Sequence, residues 1–224
     1  MPRVILWAWE RPEDLSFTDP REVGVAFLAR TLYLRGEKVA ARPRFQPLSV
    51  APETSLIAVV RIESDRAAPP ALSARQRAST VSAIAEVARG QAVVAVQIDF
   101  DARQSERAFY RDLLFDLRAE LPASVKLSIT ALASWCVHDG WLADLPIDEA
   151  VPMLFRMGVD HEQVTRYLKV GGDFRPAPCR YSLGISTDEP PPAMPSGRRV
   201  YVFNPRRWSQ ESVGEIVREV NQSQ

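Results

Sequence analysis

The chain has 224 residues and carries 28 Lys/Arg against 28 Asp/Glu, so it has no global field to recruit nucleic acid or an anionic membrane surface. No Gly/Ser-rich or charged linker divides it, and a single domain over residues 1–224 is expected. Cys136 and Cys179 are too few for a disulfide framework and lack a second pair for a zinc site, which predicts a reduced, unstapled protein.

The opening "MPRVILWAWE" has six apolar residues between Arg3 and Glu10, too short a run for a signal peptide or a membrane span. The expectation is a cytoplasmic protein, or an exported one if an upstream signal has been removed. Further along, short apolar runs alternate with helical patterns, which argues for β/α units around a parallel sheet. Candidate strands are Val4–Glu10, Val39–Phe45, Leu56–Glu63, Ala92–Asp101, Val125–Ser134, Ala150–Met157, Arg180–Thr187 and Arg199–Asn204. Eight such strands predict a (β/α)8 barrel of the TIM type.

Helix starts are marked by caps. "DPRE" at Asp19–Glu22 offers a side-chain cap, a proline at the first helical position and a carboxylate at the third. "SARQ" at Ser73, "DARQ" at Asp101, "DHEQ" at Asp160 and "SQES" at Ser209 fit the same device more loosely. Phe109, Leu113, Leu117 and Leu121 form an apolar stripe suited to cover a sheet, closed by Pro122. "SVAPETS" is too short for a covering helix and "DEPPPAMPSG" is proline-rich loop, so the barrel should be small and irregular, with helices missing. An open doubly wound sheet is the alternative, but the chain has no GxGxxG or GKS/GKT phosphate turn, and no HExxH or GxSxG.

In a barrel the chemistry sits at the C-terminal ends of the strands. Polar groups gather there: Glu10, Arg61, Glu63, Gln97, Asp99, Asp101, Ser134 and Trp135, Arg156, Asp188 and Glu189, and Asn204. In "VVAVQIDFDA", residues 93–102, alternation puts Val93, Ala95, Gln97, Asp99 and Asp101 on one face and Val94, Val96, Ile98 and Phe100 on the other. The apolar set suits the helix layer, leaving the polar set to face the barrel interior. Successive members of a face lie roughly 6.6 Å apart along a strand. Two carboxylates that close repel, and partial burial raises at least one pKa, as a general acid requires.

Each residue also has a structural role open to it. Asp101 fits an N-cap, Asp99 a buried ion pair with Arg61 or Arg156, Gln97 a core hydrogen bond, and Glu63 a pair with Arg61. Trp7 and Trp9 share a face of the first strand and suit core packing, while Trp135 and Trp141, flanking "CVHDG", suit either the core or the lining of a sugar-binding cleft. His138 and His161 make neither a metal site nor a triad, and Cys136 fits packing better than nucleophilic attack.

"VAVQIDFDA" resembles the fourth-strand D-x-D-x-E signature of family 18 glycoside hydrolases, the chitinase-like barrels. Gln97 stands at the first acid, Asp99 at the middle acid and Asp101 at the glutamate that serves as general acid. The resemblance implies that Asp99 orients a substrate N-acetyl group, which itself attacks the anomeric carbon. "VPMLFRMG" resembles the sixth-strand M-x-Y-D of the same family, keeping Met153 but placing Phe155 at the tyrosine and Arg156 at the aspartate. A longer resemblance, to the uncharacterised bacterial domain of unknown function 3142, rests on "LWAWERPEDL", "GVAFLARTLYL", "RPRFQPL", "VVRIES", "VQIDFDARQSERAFYRDLL", "LSITALASWC" and "EAVPMLFRMG".

The expectation is a glycoside-hydrolase-like barrel binding a carbohydrate or similar polar ligand, with Asp101 as acid/base and Asp99 as its electrostatic partner. Gln97, Glu10, Arg61, Glu63, Trp135, Arg156 and Asn204 are the candidate ligand-binding residues, and no metal or organic cofactor is implied. Shortening the family glutamate to Asp101 withdraws the carboxyl by one methylene, and a misplacement of about 1 Å can cost about a hundredfold in rate. A standard chitinase is therefore not expected. The competing expectation is a non-catalytic barrel used as an interaction module, its polar cluster serving stability and helix capping.

Overall fold

The computed structural model describes residues 1–90 and 92–222. In chain order the strands are β1 (Val4–Ala8), β2 (Glu13–Leu15), β3 (Val23–Arg35), β4 (Lys38–Pro43), β5 (Leu48–Val50), β6 (Leu56–Ser64), β7 (Ala95–Asp99), β8 (Lys126–Leu132), β9 (Glu149–Met153), β10 (Ser182–Ser186) and β11 (Arg199–Phe203). The helices are α1 (Ala74–Gly90), α2 (Arg107–Glu120), α3 (Ala133–Val137), α4 (His161–Lys169) and α5 (Gln210–Gln222).

β1, β3, β6, β7, β8, β9, β10 and β11 pair in parallel in that order. Because β1 pairs with both β3 and β11, the sheet closes on itself as the expected TIM-type barrel. It is irregular: no helix lies between β1 and β3, between β3 and β6, or between β10 and β11. The short β2–β5 ribbon and the antiparallel strand β4 occupy the first two gaps.

The second barrel strand is not Val39–Phe45. That segment is largely β4, an exposed strand running back along the end of β3. The barrel strand is β3, which lies where "DPRE" predicted a helix. The Asp19 carboxylate does accept the Arg21 N–H at 2.9 Å, and its carbonyl accepts those of Glu22 and Val23, but this makes a turn. The reason lies downstream. "VGVAFLARTLYLR" is apolar at nearly every position because a parallel strand is buried on both faces, and such a run has no period to separate it from a buried helix.

Of the other cap candidates, Ser73 and Ser209 hold. The Ser73 hydroxyl accepts the Gln76 N–H at 3.1 Å and the Gln76 side chain accepts the Leu72 N–H at 2.9 Å, a reciprocal cap that starts α1. Ser209 accepts the Ser212 N–H at 3.2 Å before α5. α4 begins after Asp160 without a side-chain cap. α2 lays Phe109, Leu113 and Leu117 on the barrel, with Leu121 just beyond its end.

Two apolar layers result. Outward-facing strand residues such as Val96, Ile98 and Ile129 pack under the helices. Inside the barrel Ile5, Trp7, Ile57, Val59, Val151 and Tyr201 form a separate cluster. The Trp7 indole fits because β10 carries glycine opposite it: a Cβ on Gly184 would lie 2.9 Å from the ring.

Cys136 and Cys179 are both fully buried and form a disulfide, with Cα atoms 6.0 Å apart, so the expectation of free thiols is overturned. A count of two could not reveal that α3 and the turn before β10 lie side by side. Among the described residues no helix is long and apolar enough to cross a membrane.

Candidate functional site

β7 carries the polar face inward as its alternation predicts. Gln97 is fully buried in the barrel, where its carbonyl accepts the Trp7 indole N–H at 2.9 Å and its amide donates to the Ser128 hydroxyl at 3.1 Å. Ser128 donates in turn to Glu149, which also accepts the Tyr201 hydroxyl at 2.7 Å and the Arg199 guanidinium at 2.5 Å. These bonds satisfy the polar groups of the interior and hold Trp7 level beneath the mouth of the barrel.

Above Trp7 opens a cavity of about 310 Å³. Trp9, Phe155 and Phe203 form aromatic walls, with Phe155 and Phe203 stacked at 5.8 Å and Trp9 meeting Phe203 edge-on. Two guanidinium groups lean over these rings: Arg61 lies 5.8 Å from the Trp9 centroid and Arg156 lies 5.0 Å from that of Phe203. Arg156 takes a left-handed backbone conformation at φ 51°, and its N–H donates to Glu189 at 3.0 Å, which fixes the turn that points it over the cavity.

The acids stand on the opposite side. Asp99, at the end of β7, accepts the Thr130 hydroxyl of β8 at 2.7 Å. Burial raises its pKa above the ordinary aspartate value; the Thr130 bond and Arg61 pull it down, and the charges of Asp101 and Glu63 push it up. Asp101 keeps part of its side chain open to solvent, yet the surrounding protein also raises its pKa, with Arg61 opposing. Asp101 has neither a hydrogen-bond partner nor an ion pair among the described residues. It is not the cap of the following helix: the Arg103 N–H is taken at 2.8 Å by the buried Glu106 carboxylate, and a short 3-10 turn then leads into α2. The carboxyl of Asp101 is left facing the cavity.

The cavity brings together Asp99, Asp101, Arg61 and Arg156 of the expected site. Glu63 pairs with Arg61 at 2.8 Å, just outside it. Four other expectations change. Gln97 lies below the cavity and is spent on interior hydrogen bonds, so it positions Trp7 and meets no ligand. Glu10 turns away to pair with Arg42 at 2.9 Å. Trp135 is 3 % exposed and packs edge-on against Trp141 in the outer layer, under Arg107, because the chain turns into α3 right after β8 and carries it outward. Asn204 is buried in the loop after β11, where it accepts the Thr187 hydroxyl and the Arg206 N–H.

Thr130, Trp9 and Phe203 line the cavity without having been singled out as site residues. Parity could have found them, since Thr130 shares a face with Ser128, Trp9 with Trp7, and Phe203 with Tyr201. Among the described residues no group of three or more His, Cys, Asp or Glu is placed to hold a metal.

The fold is a closed TIM-type barrel with an acid pair at the top of its fourth strand, facing an aromatic cavity. Residues 53–151 match the family described as a domain of unknown function, DUF3142. That match spans β6 to β9 and includes Asp99 and Asp101, a shorter stretch than the sequence blocks suggested. The whole barrel superposes on the crystal structure of the "putative Chitinase A" of Streptomyces coelicolor with a TM-score of 0.65 and 10% identity, covering 99% of this chain and 98% of that one. It also superposes on the Bacillus cereus spore cortex-lytic enzyme SleL with a TM-score of 0.54 and 14% identity, covering 99% of this chain and 59% of SleL. At these identities the likeness establishes the fold alone. No curated protein matches by sequence.

Proposed function

We propose that the cavity binds a saccharide and that Asp101 acts on its glycosidic bond as general acid/base. The observation that carries this reading is the Asp101 carboxyl, raised in pKa and without a protein partner, facing an aromatic-walled cavity beside Asp99. Protonated Asp101 would give its proton to the bridging oxygen as the bond from that oxygen to the anomeric carbon breaks. Water then supplies the new hydroxyl and returns a proton to Asp101. Asp99, held by Thr130, supplies the negative charge that stabilises a developing oxocarbenium ion. Trp9 offers a ring for a sugar to pack on, above the buried Trp7, and Arg156 reaches toward its hydroxyls.

The departures from family 18 bear on substrate and mechanism. Phe155 stacks on Phe203 where that family carries a tyrosine, so no hydroxyl is available there to assist an N-acetyl intermediate. The interaction-module reading required Asp101 to be spent on the backbone N–H of residue 103 or 104 and the mouth to be plugged; Glu106 takes the first role and the mouth is open. The buried disulfide fits an oxidising compartment, which favours an exported protein as part of this proposal.

Thermal-shift screening against neutral and N-acetylated oligosaccharides tests the reading. A sugar that stabilises the wild type and not Asp99→Asn/Asp101→Asn is the expected result. A sugar-blind wild type, together with a double variant of greatly reduced stability, would return the cluster to a purely structural role.

A further inference from the structure

A second cleft, of about 250 Å³, lies on the far side of Asp101. It shares Arg61, Asp99 and Asp101 with the aromatic cavity, so the acid pair forms the ridge between the two. The two chambers differ in chemistry. The first is walled by indole and phenyl rings; the second carries Arg66 and Arg103 on its walls, with Arg61 at the ridge.

The acids of the second cleft are largely engaged. Glu63 pairs with Arg61 at 2.8 Å, Glu106 is buried and accepts the Arg103 N–H, and Asp99 accepts from Thr130. Arg66 and Arg103 are exposed, and among the described residues neither guanidinium has an ion pair or a hydrogen bond to an acceptor. Two uncommitted guanidinium groups on the walls of one cleft present a planar fork of donors suited to a carboxylate.

Resting on the saccharide reading above, we infer that the second cleft holds a carboxylate-bearing sugar, a uronate, next to the sugar in the aromatic cavity, with the linkage between them at Asp101. An anion seated there also disfavours ionisation of the neighbouring Asp101 and so holds the proton that a general acid must donate. The substrate class is therefore an acidic polysaccharide and not a neutral one.

The test compares tetrasaccharides by titration calorimetry: chito- and cello-tetraose as neutral probes, hyaluronan and galacturonan tetrasaccharides as uronate probes. The wild type is expected to bind at least one uronate probe about tenfold or more tighter than either neutral one, with the margin shrinking at high salt. Arg66→Gln/Arg103→Gln, both at exposed positions, should abolish the margin and leave neutral binding within about twofold, since only the charge-assisted bonds to the carboxylate are lost. Equal affinity for neutral and uronate probes, or a margin that survives in the double variant, overturns the uronate assignment and leaves the saccharide reading standing. Failure of all four probes, with the folded state verified by circular dichroism, overturns both.

Discussion

Gln97 shows how a residue can shape a site without touching a ligand. Its two interior hydrogen bonds seat Trp7, whose ring is both the top of the barrel core and the floor of the cavity. Gln97→Leu keeps the size and removes the bonds, leaving the buried indole N–H and the Ser128 hydroxyl short of a partner. A loss of roughly 1–3 kcal/mol is expected by urea denaturation, together with weakened sugar binding. Gly184→Ala acts on the same ring from the other side, and overpacking there should cost about 1–3 kcal/mol, read in the same denaturation experiment. Asp99 adds a pH signature. Its pKa is raised in the folded state, so the unfolded chain loses the proton first; the Asp99 contribution to stability is full below the ordinary value of 3.8 and declines as pH rises through the raised one. Denaturation curves of wild type and Asp99→Asn across pH 3.5 to 8 should converge or cross in that direction, and a difference independent of pH would show that the carboxyl is not buried as described.

At the scale of elements, the disulfide joins α3 to the turn before β10 across 43 residues. It closes a long loop that includes β9 and α4, and Arg156 over the cavity lies within that loop. The chain-entropy account of cross-links gives roughly 2–4 kcal/mol for such a bridge. Cys136→Ala/Cys179→Ala is expected to lower the free energy of unfolding by that amount in urea denaturation, and reductant should move the wild type toward the variant while leaving the variant unchanged. The helix starts carry a different lesson. Ser73 and Ser209 cap helices as their local pattern requires, whereas Asp19, with the stronger pattern, starts a strand. The difference lies in the sequence downstream of each cap, which is amphipathic in α1 and α5 and apolar at nearly every position in β3.

At the scale of the molecule, the barrel closes where helices are missing, and arginines take over part of their work. Arg44 donates to the carbonyl oxygens of Trp9, of Ala8 at 3.1 Å, of Arg11 at 2.6 Å and of Gln46 at 2.8 Å, fastening the loop after β1 to the crossing between β4 and β5. Arg11 does the same on the other side of β1, reaching Asn204 and Pro205. Arg44→Met keeps the stem and removes the donors from carbonyls that have no helix to satisfy them. A loss of roughly 3 kcal/mol or more is expected, with hydrogen exchange rising first in residues 9–15 and 44–50 while β7 to β9 stay protected. Uniform exchange throughout would mean that the seam is not a separate weak point.

Local pattern by itself determined the barrel class, the inward face of β7 and the gathering of acids and arginines at strand ends, because side-chain alternation and caps are properties of a few adjacent residues. It also located two of the three connections that lack a helix, since proline-rich or very short segments cannot hold one, and missed the connection after β1, where "DPRE" predicted a helix. Only the tertiary structure decided that β3 is a strand, that Cys136 meets Cys179, and that Trp135 leaves the mouth while Trp9 and Phe203 enter it. Each of these depends on which elements become neighbours in space. A run apolar on both faces, or a cysteine far along the chain from its partner, carries no local signal of the surface it will meet.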